Sequence, residues 1–430
     1  MRRTLLLWLL LFAAYAATIG LDAFGSSEYA GAEPHHLLIA ESIVEDGDFD
    51  LRNQYAARAY EDFYPRGLRP EGRETEGRLH EPYGIGFAAV IAPAYAVAGP
   101  TGVDLFLAAI AAFGVALAYR LALRVVPDPW ALGAALAVGL SPPLLAYGTA
   151  VTPEPVAGAA LAGGALLAVR VDARAARRDA IGCFALLGAL PWLGIRFAAA
   201  GVLIGYFAAR ALWRARRRTL AIGSVELALF SLALYVGLNE ALFGGPTPYA
   251  ALAAGESATG ASFPVGYLER GDRLISLFVD RDVGLLRWAP VLLLTFVGLW
   301  WLWRAHRDRL ARAVPQLREV ELAATVCAGV LGIQLLVAAF LAPTLAGSWF
   351  PARHLIAALP LTIPLVAWGL RHAPRTGIVL AALTLAASVW LYVDVRWGGG
   401  SLVADLPDAP FGPLTDVLPG FAGAGPGQPR

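Results

Sequence analysis

The chain is a succession of apolar segments, most of them close to a helical membrane span in length, and this limits its fold more than any other feature. A bilayer core takes about 20 mostly apolar residues per helix. On that rule, spans fall near residues 4–24, 102–123, 130–150, 155–170, 180–194, 196–212, 219–242, 284–303, 321–343, 353–370 and 376–394, eleven in all. Over 430 residues the chain is 58% hydrophobic and only 16% charged, which places it with polytopic membrane proteins. The expected fold class is all-α, multi-pass, with about eleven transmembrane helices.

The charges give the expected orientation. Every one of the 34 basic residues is Arg, a bias of a GC-rich genome rather than of function. Twenty of the 34 fall on alternate connections: at Arg2 and Arg3, Arg120 and Arg124, then in clusters over 170–178, 210–218 and 304–318, and at Arg371 and Arg375. The positive-inside rule then puts the N-terminus in the cytoplasm and the C-terminus outside, as expected of a protein of the bacterial cytoplasmic membrane. Met1-Arg2-Arg3 and the apolar run after it read as an uncleaved first helix, not a signal peptide. The net charge of +1 gives no hint of a nucleic-acid partner. Cys183 and Cys327 both lie in apolar segments, so neither a disulfide framework nor a cysteine metal site is expected.

Residues 1–395 form the expected membrane domain, with two long external segments. The first, 25–101, opens with an acidic stretch: residues 25–83 hold thirteen Asp or Glu against six Arg. Residues 84–98, with Pro93, are short for a span and read as a re-entrant or interfacial helix. The second, 243–283, contains a short amphipathic helix from Tyr267 to Val279. The Gly- and Pro-rich tail, 396–430, is expected to be flexible.

Pro34 suits the first position of a helix, with Glu33 at its cap. Leu37, Ile39, Ala40, Ile43 and Val44 give that helix an apolar face, fit to lie on a membrane. The carboxylate of Glu33 at the helix start is either a general base or cation ligand, or a favourable helix-start acid. His35 and His36 are candidates for phosphate or metal contacts, although interfacial histidines facing water are the commoner case; no spacing here completes a metal motif. Asp46, Asp48 and Asp50 suggest a calcium loop but lack its terminal Glu, and read as a solvated turn. Glu154, in Thr152-Pro153-Glu154-Pro155, is a second acid at membrane depth, where a carboxylate is costly without a purpose. Arg196 and Arg353 break the Arg pattern at the outer edge and suit a lipid-linked phosphate, or else extend toward headgroups. Arg281 and Asp282, with Asp280 and Arg287, form another outer cluster.

These pieces resemble the C-type glycosyltransferase superfamily, in its protein-mannosyltransferase and aminoarabinose-transferase branch. The resemblance rests on Ala32-Glu33-Pro34-His35-His36 at the start of the first loop, then His80-Glu81-Pro82-Tyr83-Gly84-Ile85-Gly86, and Thr152-Pro153-Glu154. Asp282-Val283-Gly284-Leu285-Leu286 and Arg353-His354-Leu355 also match stretches of its bacterial members. The family's Asp-Glu pair appears here as Ala32-Glu33, so the position of the usual base carries a methyl group.

The resemblance implies transfer of a sugar from a polyprenyl-phosphate donor on the external membrane face. Glu33 and Glu154 are then the catalytic acids, and Arg196, Arg353, His354, Arg281, Asp282, His80, Tyr83 and His35 the substrate-binding set. No cofactor is required, a divalent cation is permitted, and membrane lipids are the other partner. The alternatives are a flippase or carrier for a lipid or anionic solute, and a family member that binds polyprenyl phosphate without transferring sugar. A transporter more often shows an internal repeat and broken helices at mid-membrane, and neither is evident here.

Overall fold

The computed structural model describes residues 2–24, 26–75, 77–252, 265–309, 316–403 and 419–420. The chain opens with α1 (Arg2–Ala16), and the first loop carries α2 (Glu33–Glu45), α3 (Arg52–Ala57) and a hairpin of β1 (Arg73–Thr75) and β2 (Arg78–His80). Then follow α4 (Ile85–Ala122), α5 (Trp130–Gly139), α6 (Pro142–Ala146), α7 (Glu154–Arg174), α8 (Arg177–Leu193), α9 (Ala198–Arg214) and α10 (Arg218–Phe243). The second loop contains α11 (Val265–Leu268), α12 (Arg273–Val279) and α13 (Leu285–Trp288). The chain returns as α14 (Leu293–Arg309), α15 (Gln316–Leu336), a long 3₁₀ helix (Arg353–Thr362) running into α16 (Ile363–His372), and α17 (Pro374–Val393).

Among the described residues, seven helical segments are long and apolar enough to cross a membrane: Ile85–Ala122, Glu154–Arg174, Ile195–Arg214, Arg218–Ala250, Glu319–Leu341, Arg353–His372 and Pro374–Gly398. The other four expected spans are helical but shorter. The segment 130–150 divides at Ser141 into α5 and α6, because Pro142 and Pro143 lack the N–H groups that would continue the ladder. The segment 284–303 is interrupted at Ala289-Pro290. α1 and α8 are regular helices of 15 and 17 residues. Leu5, Leu6, Leu9 and Leu10 of α1, Leu229, Phe230 and Leu234 of α10, and Ile378 and Val379 of α17 are exposed. An apolar surface of that extent faces lipid.

Residues 84–98 are a helix of their own. α4 breaks at Ala98 and Gly99, where φ turns to +57°, and Pro100 restarts the helix toward Ala122. The expected amphipathic helix at 267–279 is present as α11, a 3₁₀ turn and α12. Most of the expected tail, residues 404–418 and 421–430, lies outside the described residues.

One expectation about the first loop is corrected. α2 does not lie on the membrane by one apolar face; Pro34 to Ser42 are buried all round. One side packs on the first half of α4, and the other packs under Leu51, Tyr60 and Leu79 of the loop itself. The loop is thus folded onto the bundle and holds α2 between its own layer and α4.

α7 is the centre of the bundle and packs on α4, α8, α9, α15 and the 3₁₀ helix. Its sequence, Ala- and Gly-rich from Ala157 to Ala168, lets these neighbours come close, as small residues do between membrane helices. Gly298 and Gly369 do the same where α14 crosses α16: a Cβ on either would collide with backbone of the other helix, at Leu365 and Leu294. Gly298→Ala and Gly369→Ala are therefore each expected to cost about 1–3 kcal/mol through overpacking. Thermal denaturation in detergent should show a lower midpoint for both and no drop for Gly332→Ala, where a Cβ meets nothing within 4 Å.

Candidate active site

Glu154 opens α7 just after Pro153 and is only 1% exposed. A carboxylate cannot stay charged at that depth without partners, and two guanidiniums supply them. Its Oε1 accepts from Arg196 at 2.7 Å and from Nε of Arg353 at 2.8 Å. Arg196 comes from the 3₁₀ turn Ile195–Phe197, where the chain reverses at Gly194 between α8 and α9. Arg353 begins the long 3₁₀ helix, directly after Ala352 in the left-handed conformation at φ +71°. An L-residue held there is strained, and the strained peptide is the one that leads into the arginine. Each arginine also lies over a ring, Arg196 over Phe197 and Arg353 over Trp349.

The two arginines line a cavity of about 500 Å³. His354, Tyr83, Trp192, Tyr235 and Tyr249 share its wall. Glu154 lines no part of it. The carboxylate stands behind its partners, so the cavity meets two cations, and Glu154 fixes their position. Tyr83 donates to Glu71, and Nε2 of His354 lies 2.9 Å from the Thr344 carbonyl. Gly86 explains part of the Tyr83-Gly84-Ile85-Gly86 motif: a Cβ there would come within 2.5 Å of the Trp192 carbonyl, so glycine lets α4 seat against the cavity wall.

Glu33 lies in a second, smaller cavity of about 40 Å³ behind the first. Ala32, Ser348, Trp349 and Arg353 line both. Glu33 accepts from the Val151 N–H at 2.8 Å and, more weakly, from Ala30 at 3.4 Å. Burial pushes its carboxyl up to about 7, against these two N–H groups and the Arg353 charge. Gly31 makes this approach possible: it has φ +56°, and a Cβ on it would sit 2.7 Å from the Ser348 carbonyl.

The other expected site residues are placed elsewhere. His35 is turned into the loop, with Nδ1 2.8 Å from the Tyr55 hydroxyl and 3.2 Å from Glu81. His80 packs edge-on against Phe243. Arg281 and Asp282 form an exposed pair at 3.7 Å. None of these four lines either cavity. Asp46, Asp48 and Asp50 are engaged in turn contacts with Gln54, Ser42 and Arg52. Among the described residues, no group of three or more His, Cys, Asp and Glu is arranged to hold a metal ion.

Two residues outside the expected substrate-binding set join the site: His36, weighed beside His35 from the sequence, and Asp104, which was not singled out. His36, rather than His35, faces the main cavity, against Tyr83 and Phe87, and its buried Nδ1 has no partner among the described residues. Burial, with Arg353 second, holds its imidazole down to about 3, so the ring is neutral at physiological pH. Helical phase was the available signal, since 33 and 36 share a face. Asp104, 3% exposed in α4, lines the rear cavity; the signal was an acid within an otherwise apolar span.

Comparison with known structures decides the fold. Ninety per cent of the chain superposes on 69% of ArnT from Cupriavidus metallidurans in the apo state, with TM-score 0.56 and 16% identity. The chain has the C-type glycosyltransferase fold. A second structure of ArnT from Cupriavidus metallidurans, bound to undecaprenyl phosphate, gives TM-score 0.55 at 15% identity over 90% of this chain and 71% of that one. No family model and no curated protein matches the sequence. Within this C-type fold, the chain is a multi-pass membrane protein.

The ion triad sets a stability expectation. Glu154→Ala leaves two cations at a buried site, and removing one partner of a buried pair costs about 3–5 kcal/mol. Thermal denaturation should show a smaller loss for Arg196→Ala, since Arg196 is 24% exposed and Glu154 keeps Arg353. In the Glu154→Ala/Arg196→Ala double variant the two losses should add to less than their sum.

Proposed function

We propose that this protein is a membrane glycosyltransferase that moves a sugar from a polyprenyl-phosphate donor to an acceptor on the external face of the bacterial cytoplasmic membrane. The observation that carries the reading is the pair of guanidiniums fixed on one buried carboxylate at the wall of a 500 Å³ cavity. Arg353 is bonded through Nε and Arg196 through one terminal nitrogen, which leaves further N–H groups on both for an anion. Such donors suit a phosphate, which guanidinium binds in bidentate fashion. The likeness to ArnT bound to undecaprenyl phosphate supports the same ligand class here.

In this mechanism the donor phosphate sits on Arg196 and Arg353, with the sugar toward Trp349 and His36. The acceptor hydroxyl attacks the anomeric carbon, the bond from that carbon to the phosphate oxygen breaks, and polyprenyl phosphate leaves with the electron pair. The arginines stabilise the charge that develops on the leaving phosphate. Glu33 takes the hydroxyl proton where the two cavities share their lining, at Ala32, Ser348, Trp349 and Arg353. Glu154 holds the arginines and transfers no proton. Neutral His36 offers an unpaired ring nitrogen to a sugar hydroxyl.

One observation favours a second reading. The only acid of the Asp-Glu position, Glu33, lines the rear cavity and not the main one, which suits a protein that binds a polyprenyl phosphate without transferring sugar. Lipid-phosphate binding without turnover would select that reading.

Transfer from a labelled polyprenyl-phosphate sugar in membranes tests both. Glu33→Gln should lower transfer by roughly 10²–10⁴-fold, the usual contribution of a general base, and Arg353→Ala should abolish it. Since a base works deprotonated and the Glu33 carboxyl is raised to about 7, the rate should fall tenfold per pH unit below about 7 and level off above it. Unchanged transfer in both variants would end the site assignment.

A further inference from the structure

The rear cavity contains more acid than the proposed reaction uses. Glu28, Glu33 and Asp104 all line it, and among the described residues the one cation in its wall, Arg353, is engaged with Glu154. Asp104 is the costly member, since it interrupts an apolar helix and is 3% exposed. Its Oδ2 accepts from the Tyr29 hydroxyl at 3.0 Å, while its buried Oδ1 has no partner among the described residues. The Thr152 hydroxyl, also in the wall, is equally buried and unpartnered. Thr18 and Thr149 add two more hydroxyls, 3.2 Å apart. Buried polar atoms of this kind are matched by ordered water when there is room. A volume of about 40 Å³ holds roughly two or three waters. The cavity also has an exposed end: Glu28 lies at the surface and accepts from the Gly20 N–H.

We propose that this cavity is a proton path, in which Asp104 is the positioning residue that takes the proton from Glu33 and passes it toward Glu28. The inference rests on the reading of Glu33 as the base. The acceptor hydroxyl loses its proton to the Glu33 carboxylate. That proton moves along hydrogen-bonded water to the free oxygen of Asp104, which restores Glu33 as a carboxylate. Asp104 then releases it to Glu28 and bulk water, so protons balance over a turnover and nothing is oxidised or reduced. The groups facing Asp104 are Glu28, Tyr29 and Glu33 from the first loop and α2, Tyr147 from the end of α6, and Arg353 from the 3₁₀ helix. A base enclosed by protein needs such an exit, because otherwise each turnover leaves it protonated. The path also explains why an acid is kept in α4.

The test uses the full chain in membranes, with a labelled polyprenyl-phosphate sugar as probe, and compares wild type with Asp104→Asn and Thr152→Val. For Asp104→Asn we expect kcat to fall at least about tenfold with KM unchanged and a larger solvent isotope effect on kcat. The acid limb of the pH profile should move to lower pH, because a negative neighbour of Glu33 has been removed. Thr152→Val, which keeps all charges, should raise the isotope effect without moving the limb. Asp104→Ala should recover part of its rate with added formate, a small acid that fits the space vacated. A wild-type profile in Asp104→Asn, or a lower kcat with unmoved limb, unmoved isotope effect and no formate rescue, overturns the path. Infrared titration of the purified chain separates this from the transferase reading. The carboxyl band lost in Glu33→Gln should titrate at lower pH in Asp104→Asn, and an unmoved midpoint overturns the path whether or not the labelled donor is a substrate. Absence of transfer by the wild type would instead remove the transferase reading, with the infrared shift still deciding the path.

Discussion

A carboxylate sealed inside an apolar bundle and shared by two guanidiniums governs the rest of this site. Glu154 joins the start of α7, the turn between α8 and α9, and the start of the 3₁₀ helix, segments that otherwise meet through apolar contact. The arrangement tolerates burial because the attraction in a poor dielectric offsets desolvation only when geometry and pairing are good. It is also unbalanced, since one negative charge faces two positive ones. The acid is at the back and the arginines are at the cavity, so the surplus charge is presented to the cavity. An anion there completes the electrostatics of the fold.

Much of this was legible in the sequence, for reasons specific to membranes. The helical class follows from hydropathy because lipid leaves the backbone few other ways to satisfy its hydrogen bonds. Arg196, Arg353 and Glu154 stood out as charges in costly places. Their pairing was not legible, since the partners are separated by 42 and 199 positions and no periodicity links them. His35 and His36 were both candidates and only His35 entered the substrate-binding set, where a helix of 3.6 residues per turn puts His36 on the face of Glu33. Asp104 was hidden because the helix break at Ala98 and Gly99 moves the register of α4, so its depth cannot be read from the segment alone. α2 has the pattern of an interfacial helix, yet the loop built from residues 51–79 covers its other side, a tertiary contact with no local signal.

The two cavities meet at Ala32, and this bears on how the chain differs from the family it resembles in fold. With a methyl group at the position of the usual acid, the main cavity lacks a carboxylate there, and the neighbouring Glu33 is held on the other side of the wall by two backbone N–H groups. A longer side chain at position 32 would fill the place where the cavities share lining. The polar side chains are thereby divided between a front chamber of cations, aromatic rings and a neutral histidine, and a back chamber of acids and hydroxyls.

The close approach of Gly31 to Ser348 also has a consequence for biosynthesis. Glu33, Glu154 and Arg353 come from the beginning, middle and last quarter of the chain, and the first loop is closed against residues made some three hundred positions later. Contacts this distant in sequence form late. While the intervening helices are still being made, the acidic loop awaits its partners, with Glu154 and Arg196 already present and Arg353 not yet made. Arg353, the last of the three to be made, adds the second cation and lines both cavities. A chain truncated before residue 353 lacks the second cation of that site.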